Sequence, residues 1–246
     1  MPIYAVTGAR GGIGLEYVRQ LSADKSNTVF ALVRNPNGEV SALKALKNDN
    51  PGTVHIIECD QSSEESVSGV LDRIRSAVEP SKVKDLTINM LINNAGILEE
   101  DSLGETSLSL TSKSLWTHIE TNAMGPARVT QALLPLLAPG AIVANIASVL
   151  GSLEMLADGR IKSFLTAYSI SKAALNMLTI HQAHQLADSG ITVVCIDPGH
   201  VKTEKGGPDA VVEVSDSARG VLKILSGVTL KDKAKFFVYT GGTLPW

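Results

Sequence analysis

A tyrosine and a lysine four residues apart could together transfer a proton. Tyr168 and Lys172 lie in the stretch Ala167 to Leu175, whose alanines and leucine favour a helix. Residues four apart share one face of a helix, so the phenol and the ammonium would be neighbours. A positive charge beside a phenol favours the phenolate and lowers the tyrosine pKa from its ordinary value of about 10. The pair therefore predicts a general acid or base.

The same spacing arises by chance in many amphipathic helices, so the pair needs support from the elements around it. Pro2 to Val6 predicts a short strand, and the glycine-rich stretch Thr7 to Gly14 leads from it into a helix that begins near Ile13. Glycines at this point allow a tight turn and a close approach of backbone to a pyrophosphate, which the helix N-terminus attracts. The start of the chain therefore predicts a dinucleotide-binding turn.

The end of the second predicted strand, Thr28 to Val33, indicates which dinucleotide binds. An acidic residue there would bind the ribose hydroxyls of NAD and repel a 2′-phosphate, but the next residue is Arg34. Arg10 in the glycine turn could supply a second positive charge, and a guanidinium suits a phosphate. We therefore predict NADP(H), with Arg34 and Arg10 as phosphate contacts; the alternative is that both arginines are solvated surface residues.

Strand and helix patterns alternate through the rest of the chain. This alternation predicts an α/β fold with a doubly wound, seven-stranded parallel sheet and helices on both faces, in a single domain over residues 1–246. Ligands bind at the carboxyl ends of such strands, so Asp60, Asn94 and Gly96 are candidates for contact with the adenine and its ribose. A long helical pattern from Leu108 to Leu137, in which Pro126 and Pro135 mark a kink or a break, carries Asn122, and Ser148 ends the fifth strand.

Composition excludes several other classes of partner. A net charge of -3 gives no electrostatic reason to expect nucleic acid, and no apolar stretch is long enough for a membrane helix. We expect a cytoplasmic protein. Cys59 and Cys195 are predicted to be buried free thiols. His181 and His184 lack further ligands, so no metal site is predicted.

Several motifs, in chain order, resemble those of classical short-chain dehydrogenases/reductases. They are Thr7-Gly8-Ala9-Arg10-Gly11-Gly12-Ile13-Gly14 (TGxxxGxG), Asn93-Asn94-Ala95-Gly96 (NNAG), Asn122 with Gly125 and Pro126, Asn145-Ile146-Ala147-Ser148, Tyr168 with Lys172 (YxxxK), and Pro198-Gly199 followed by Val201 and Thr203. The closing segments, Phe236 to Tyr239 and Thr243 to Trp246, look most like the C-factor and sniffer group of carbonyl reductases.

The resemblance implies a single-domain Rossmann fold with four catalytic residues, which are Asn122, Ser148, Tyr168 and Lys172. Tyr168 would give a proton to the carbonyl oxygen while Ser148 donates a hydrogen bond to it. Lys172 would lower the tyrosine pKa and hold the nicotinamide ribose, and Asn122 would anchor a water that connects Lys172 to solvent. The gap between Ser148 and Tyr168 is longer than usual for the family and places extra residues beside the site.

The resemblance also extends the predicted cofactor site. The predicted cofactor contacts are Gly8, Arg10, Gly12, Ile13, Gly14, Arg34, Asp60, Asn94, Ala95, Gly96, Tyr168, Lys172, Pro198, Gly199, Val201 and Thr203. The implied function is an NADPH-dependent carbonyl reductase acting on a ketone, aldehyde or quinone. The alternatives are an NAD-dependent alcohol or hydroxysteroid dehydrogenase and a non-catalytic NADP(H)-sensing regulatory protein. The family also implies a homodimer or homotetramer.

Overall fold

Seven parallel strands form one sheet in the order β3-β2-β1-β4-β5-β6-β7. The computed structural model describes the backbone of residues 1–246 and every side chain except that of Lys82. The strands are β1 (Ile3–Thr7), β2 (Thr28–Val33), β3 (Thr53–Glu58), β4 (Ile88–Asn93), β5 (Leu137–Ile146), β6 (Thr192–Asp197) and β7 (Phe236–Val238). This sheet confirms the predicted fold class.

Helices connect the strands and cover the sheet. The α-helices are α1 (Gly12–Leu21), α2 (Ser41–Asp49), α3 (Glu64–Ser68), α4 (Val70–Ser76), α5 (Pro80–Val83), α6 (Ser112–Ile119), α7 (Gly125–Leu133), α8 (Leu153–Ala157), α9 (Thr166–Gln185) and α10 (Val214–Gly227). Short 3₁₀ turns cover Glu100–Ser102, Leu134–Leu136, Val149–Gly151, Ala187–Ser189 and Leu230–Asp232.

The core lies on both faces of the sheet. Successive strand residues point to opposite faces, so Ala5 packs into one apolar cluster and Val6 into the other. Leu91 and Ile92 of β4 divide in the same way. Every residue of β2 and β6 is buried, which is expected of strands that helices cover on both faces.

The connection from α6 to α7 differs from the sequence prediction. The continuous helical pattern from Leu108 to Leu137 is divided by a π-helical turn, Glu120–Met124, in which the Gly125 N–H bonds to the Glu120 carbonyl. Pro126 follows directly and has no N–H to continue the α-helical ladder. Leu137, predicted to end this helix, begins β5 instead. Single π turns inside helices are frequent at functional sites, and this one carries Asn122.

The order of the strands locates the ligand crevice. The chain runs from β1 outward to β2 and β3, then returns to place β4 on the other side of β1. Ligands of such sheets bind where the order reverses, at the carboxyl ends of β1 and β4.

Among the described residues, no helix is both long and apolar enough to cross a bilayer. Cys59 and Cys195 are buried free thiols, as predicted.

Candidate active site

The glycine turn after β1 is packed so closely that side chains are excluded at two positions. A Cβ on Gly8, whose φ is +66°, would lie 2.8 Å from the Cα of Ala95. A Cβ on Gly14 would lie 2.3 Å from the Gly8 carbonyl oxygen and 2.6 Å from the Asn94 side-chain nitrogen. These contacts bring α1 and the end of β4 against the turn.

Hydrogen bonds tie the same turn to β4. The Thr7 hydroxyl oxygen accepts from the backbone N–H groups of Asn94 and Ala95, both at 2.9 Å. The Asn94 side chain donates in return to the Thr7 carbonyl at 3.0 Å. Asn94 and Ala95 therefore hold the two central strand ends together, while their contact with a cofactor stays a prediction.

The N-terminus of α1 has room for an anion. Gly11 is its N-cap, and no side chain caps the first turn of the helix. A Cβ on Gly11 would meet no atom within 4 Å, so the space beside it is open. Free N–H groups at a positive helix end suit the pyrophosphate of a dinucleotide. The Gly12 and Ile13 N–H groups are therefore candidate donors, and the turn fits the predicted cofactor.

Basic groups and one carboxylate lie at the carboxyl edge of the sheet, on the side of β2 and β3. Arg10 and Arg34 are exposed, and neither makes an ion pair with a described residue. Arg34 directly follows β2, next to the end of β3 and Asp60. The Asp60 carboxylate accepts from the Ser62 N–H at 3.0 Å and from its hydroxyl at 2.6 Å. The two guanidinium groups are therefore free to contact a phosphate.

The predicted catalytic side chains come from three segments that meet at this edge. Tyr168 and Lys172 lie one turn apart on α9, and the Ser148 hydroxyl is close enough to the phenol to lower its pKa. The Lys172 ammonium lies 5.6 Å from the centre of the tyrosine ring and donates to the Ile146 carbonyl at 2.8 Å. The sequence interpretation of a shared helix face is therefore correct.

The pKa of Tyr168 differs from the sequence prediction. Burial raises it above its ordinary value, the Asp197 carboxylate adds to the rise, and the Ser148 hydrogen bond opposes it. Lys172 is not among the groups that lower it, because an amine with a pKa of about 7 is uncharged at the pH at which the phenol ionises. Burial lowers the pKa of Lys172 to about 7, and the nearby Lys205 ammonium contributes to that fall. The tyrosine is therefore held as a neutral phenol, which is the proton-donating form.

The side chain of Asn122 has a structural role. Its amide nitrogen donates to the Ile97 carbonyl at 3.0 Å and to the Ser171 hydroxyl at 2.9 Å. Its amide oxygen accepts from the Ile97 N–H at 2.7 Å. The side chain thus joins the π turn, the segment after β4 and α9. The predicted anchoring of a water by Asn122 stays a prediction.

Gly96, predicted to contact the adenine or its ribose, lies next to the catalytic groups instead. A Cβ on Gly96 would be 3.0 Å from the Asn122 amide oxygen and 3.6 Å from the ammonium nitrogen of Lys172. The segment after β4 turns toward α9 because Asn122 holds Ile97 by two hydrogen bonds. Sequence position at a strand end could not reveal this turn.

Asp197, at the end of β6, was not singled out from the sequence. It is buried, and its two carboxylate oxygens accept from the Val149 N–H at 2.9 Å and the Gly199 N–H at 3.1 Å. Burial raises its pKa, while these two bonds and Lys172 oppose the rise. Asp197 therefore joins the segment that carries Ser148 to the loop after β6. The sequence did contain a signal that could have identified this residue, which is an aspartate at a strand end directly before Pro198-Gly199.

The loop after β6 reaches back over the glycine turn. Gly199 has a φ of +82°, and Val201 pairs with Val212 across the loop. A Cβ on Gly12 would lie 3.2 Å from the Thr203 methyl group. The Pro198 carbonyl accepts from the Ser217 hydroxyl at 2.7 Å. The four predicted loop residues, Pro198, Gly199, Val201 and Thr203, therefore lie in a segment that borders both ends of the crevice.

The extra residues between Ser148 and Tyr168 form α8 and a loop that packs on α9. They enclose a cavity of about 370 Å³, separate from the four catalytic side chains. Its apolar lining comes from Leu150, Leu153, Leu156, Phe164 and Ile170. Hydroxyl groups of several serines and Thr166 also line it. The insertion therefore builds a surface beside the site and leaves the catalytic groups in place.

A family model, a relative in sequence and two solved structures all relate this chain to the same group of proteins. The sequence model of the short chain dehydrogenase family matches residues 2–209. C-signal from Myxococcus xanthus is 38% identical over 162 residues, which cover 65% of this chain and 93% of that protein. The NADPH-bound carbonyl reductase from chicken fatty liver superposes with a TM-score of 0.87 and 32% identity, over 100% of both chains. The carbonyl reductase Sniffer of D. melanogaster also gives a TM-score of 0.87, with 28% identity over 100% of this chain and 99% of that one.

Proposed function

Because the chain belongs to the short-chain dehydrogenase family of oxidoreductases, we propose that it is an NADPH-dependent carbonyl reductase acting on a ketone, aldehyde or quinone. One observation carries the proposal: the partly buried Tyr168 phenol lies beside the Ser148 hydroxyl, which influences its pKa, and beside the Lys172 ammonium, at the edge that holds the glycine turn. The solved carbonyl reductase with bound NADPH supports the choice of cofactor.

The cofactor would lie along the carboxyl edge of the sheet. The N-terminus of α1 would hold its pyrophosphate, Arg34 and Arg10 its 2′-phosphate, and Lys172 its nicotinamide ribose. When bound, NADPH supplies the hydride that reduces the carbonyl carbon. The loop of Pro198 to Thr203 would cover the nicotinamide end.

The catalytic side chains would act on the carbonyl oxygen. As that oxygen gains negative charge, the Ser148 hydroxyl donates a hydrogen bond to it and Tyr168 gives it a proton. Lys172, with a pKa of about 7, can then return a proton toward the phenolate. Desolvation, with a smaller contribution from Asp197, raises the pKa of Tyr168, so the phenol carries its proton at neutral pH.

NADPH consumption by the purified protein tests the proposal. The native protein is assayed against ketones, aldehydes and quinones, next to Tyr168→Phe and the control Tyr4→Phe on β1. We expect turnover that falls by roughly 10²- to 10⁴-fold in Tyr168→Phe and stays unchanged in Tyr4→Phe. Cofactor binding without turnover of any carbonyl would support the non-catalytic sensor instead.

We also propose that the chain forms a homodimer or homotetramer through α6, the π turn and α9. Large apolar side chains on these elements face solvent: Trp116 is 66% exposed and Met177 is 55% exposed, with Met124 and Ile170 nearby in the fold. Light scattering should give a mass above one chain for the native protein and a lower mass for Met177→Glu. Leu230→Glu, in the turn before β7, is the matched control and should keep the native mass.

A further inference from the structure

The crevice contains a second lysine that neither the motifs nor the proposed mechanism uses. Lys205 lies in the loop between β6 and α10, and its ammonium donates to the Gly96 carbonyl at 2.6 Å. The two residues are 109 positions apart in sequence. The ammonium nitrogens of Lys205 and Lys172 are each 3.6 Å from the same point, which is the position that a Cβ on Gly96 would occupy. Lys205 is therefore a neighbour of the catalytic groups.

The loop that carries Lys205 is well ordered by its own contacts. The Gly206 N–H donates to the Thr203 hydroxyl at 3.1 Å, and the His200 ring nitrogen bonds to the Gly206 carbonyl at 2.7 Å. A Cβ on Gly206 would lie 2.0 Å from the Val201 carbonyl oxygen, so the turn is too tight for any other residue. The position of Lys205 is thus fixed by packing on both sides of it.

The charge of Lys205 is not balanced by the protein. Lys202, three residues earlier, forms an ion pair with Glu213, but Lys205 pairs with no carboxylate of the described residues. The carboxylate of Asp197 is occupied by two backbone N–H groups. Part of the Lys205 side chain faces solvent, while desolvation of its ammonium end lowers its pKa to about 8. The nicotinamide end of the crevice therefore holds the ammonium groups of Lys172 and Lys205 and one carboxylate, Asp197, whose oxygens already accept backbone hydrogen bonds.

An ammonium group has three N–H donors, and Gly96 accepts only one of them. The other two have no acceptor in the described part of the chain. A carboxylate placed there would gain a charge-assisted hydrogen bond and relieve the repulsion between Lys205 and Lys172. The reacting carbonyl would lie close by, at Tyr168 and Ser148.

We propose that Lys205 is a specificity-determining residue that binds the carboxylate of the substrate, so that the preferred substrates are oxo acids. This inference rests on the proposed carbonyl reductase function and names its substrate class. The carbonyl carbon gains the hydride, the carbonyl oxygen gains the Tyr168 proton, and a hydroxy acid and NADP⁺ leave. The carboxylate stays unchanged and serves only to orient the substrate.

Matched pairs of substrates test the inference. Pyruvate is compared with methyl pyruvate, and acetoacetate with methyl acetoacetate, because each ester keeps the carbonyl and loses the charge. The variants are Lys205→Met, Lys205→Arg and the control Lys231→Met, which removes an exposed cation in the turn before β7, away from the crevice. KM for NADPH is measured in each.

We expect the native protein to prefer one of the acids over its ester. Lys205→Met should lower kcat/KM for that acid by roughly 10- to 100-fold, the range for one charge-assisted hydrogen bond, and change the ester by less than about threefold. Lys205→Arg should recover part of the loss, and Lys231→Met should match the native protein.

Three other outcomes would overturn the inference. If esters are reduced as well as acids and Lys205→Met changes neither, the substrate carboxylate does not bind Lys205. If Lys205→Met raises KM for NADPH and slows all substrates equally, the ammonium binds the phosphates of the cofactor instead. If none of these four compounds is reduced while other ketones, aldehydes or quinones are, the inference is rejected and the proposed function stands; if no carbonyl of the wider panel is reduced either, both are rejected.

Discussion

The two ends of the crevice are held together by different kinds of contact. At the glycine end, the contacts are made by backbone: Gly8, Gly14 and Ala95 approach so closely that a single methyl group would collide with its neighbours. At the catalytic end, the contacts are made by buried side chains whose charges influence each other, chiefly Tyr168, Lys172 and Asp197. The first end is therefore sensitive to volume and the second to protonation.

The largest effect should come from adding a methyl group at the glycine end. In Gly14→Ala the new Cβ would lie 2.3 Å from a carbonyl oxygen, which requires the backbone to shift and should cost about 3 kcal/mol of stability. Gly11→Ala adds the same group in open space, at a φ of -162° that any residue adopts. Thermal unfolding of both variants without cofactor makes the comparison. Equal melting temperatures would contradict the steric account of this turn.

A smaller effect should appear at the catalytic end, as a dependence of stability on pH. The folded-state pKa of Lys172, about 7, is below its ordinary value of 10.5, so the unfolded chain binds more protons between these values. The free energy of unfolding should therefore rise with pH in this window, by about 1 to 2 kcal/mol from Lys172 between pH 7 and 8.5. Lys205, with a pKa of about 8, should add to the rise at the upper end.

Denaturant titrations of the cofactor-free protein at several pH values measure that dependence. In Lys172→Met the rise between pH 7 and 8.5 should shrink, because one of the two buried ammonium groups is gone. A control variant at an exposed lysine, Lys231→Ala, should keep the native slope. An identical slope in Lys172→Met would show that burial of this ammonium does not control the stability of the catalytic end.

The smallest effect should come from the exposed arginine at the rim of the glycine end. Arg34→Ala should weaken NADPH binding by roughly fivefold, because a solvated contact to a phosphate is worth less than a buried one, and should leave NADH binding unchanged. Fluorescence titration of both cofactors gives the two affinities. Lys231→Ala removes a cation at the opposite edge of the parallel sheet and should change neither. A native preference for NADH would reject the NADPH assignment.

Much of the glycine end could be predicted from the sequence, because its determinants are local. A strand, a glycine turn and a helix stand next to each other in the chain, and Gly8, Gly12 and Gly14 occupy the positions that such a turn requires. A kink or break near Pro126 could be predicted, but its π-helical form could not, since helical periodicity does not distinguish an α turn from a π turn.

At the catalytic end, the residues singled out from the sequence lie close together, but the predicted direction of the tyrosine pKa shift was wrong. The phenol and ammonium share a helix face as their spacing requires, yet the pKa of Tyr168 is raised and not lowered. The side chain of Asn122 is used in three hydrogen bonds to its neighbours. Such outcomes depend on which groups lie nearby in space and on how far water is excluded.

The sequence by itself determined the parallel sheet, the glycine turn and the edge at which the chemical groups collect. Periodicity and motif spacing are properties of short segments, and parallel strands bring their carboxyl ends to one edge whatever lies between them. Only the tertiary structure decided which charged groups meet at that edge. The Asp197 carboxylate accepts hydrogen bonds from the Val149 and Gly199 N–H groups, and the Lys205 ammonium donates one to the Gly96 carbonyl. Desolvation and contacts between distant segments set the positions and pKa values of these groups, and neither can be inferred from residues that are neighbours in sequence.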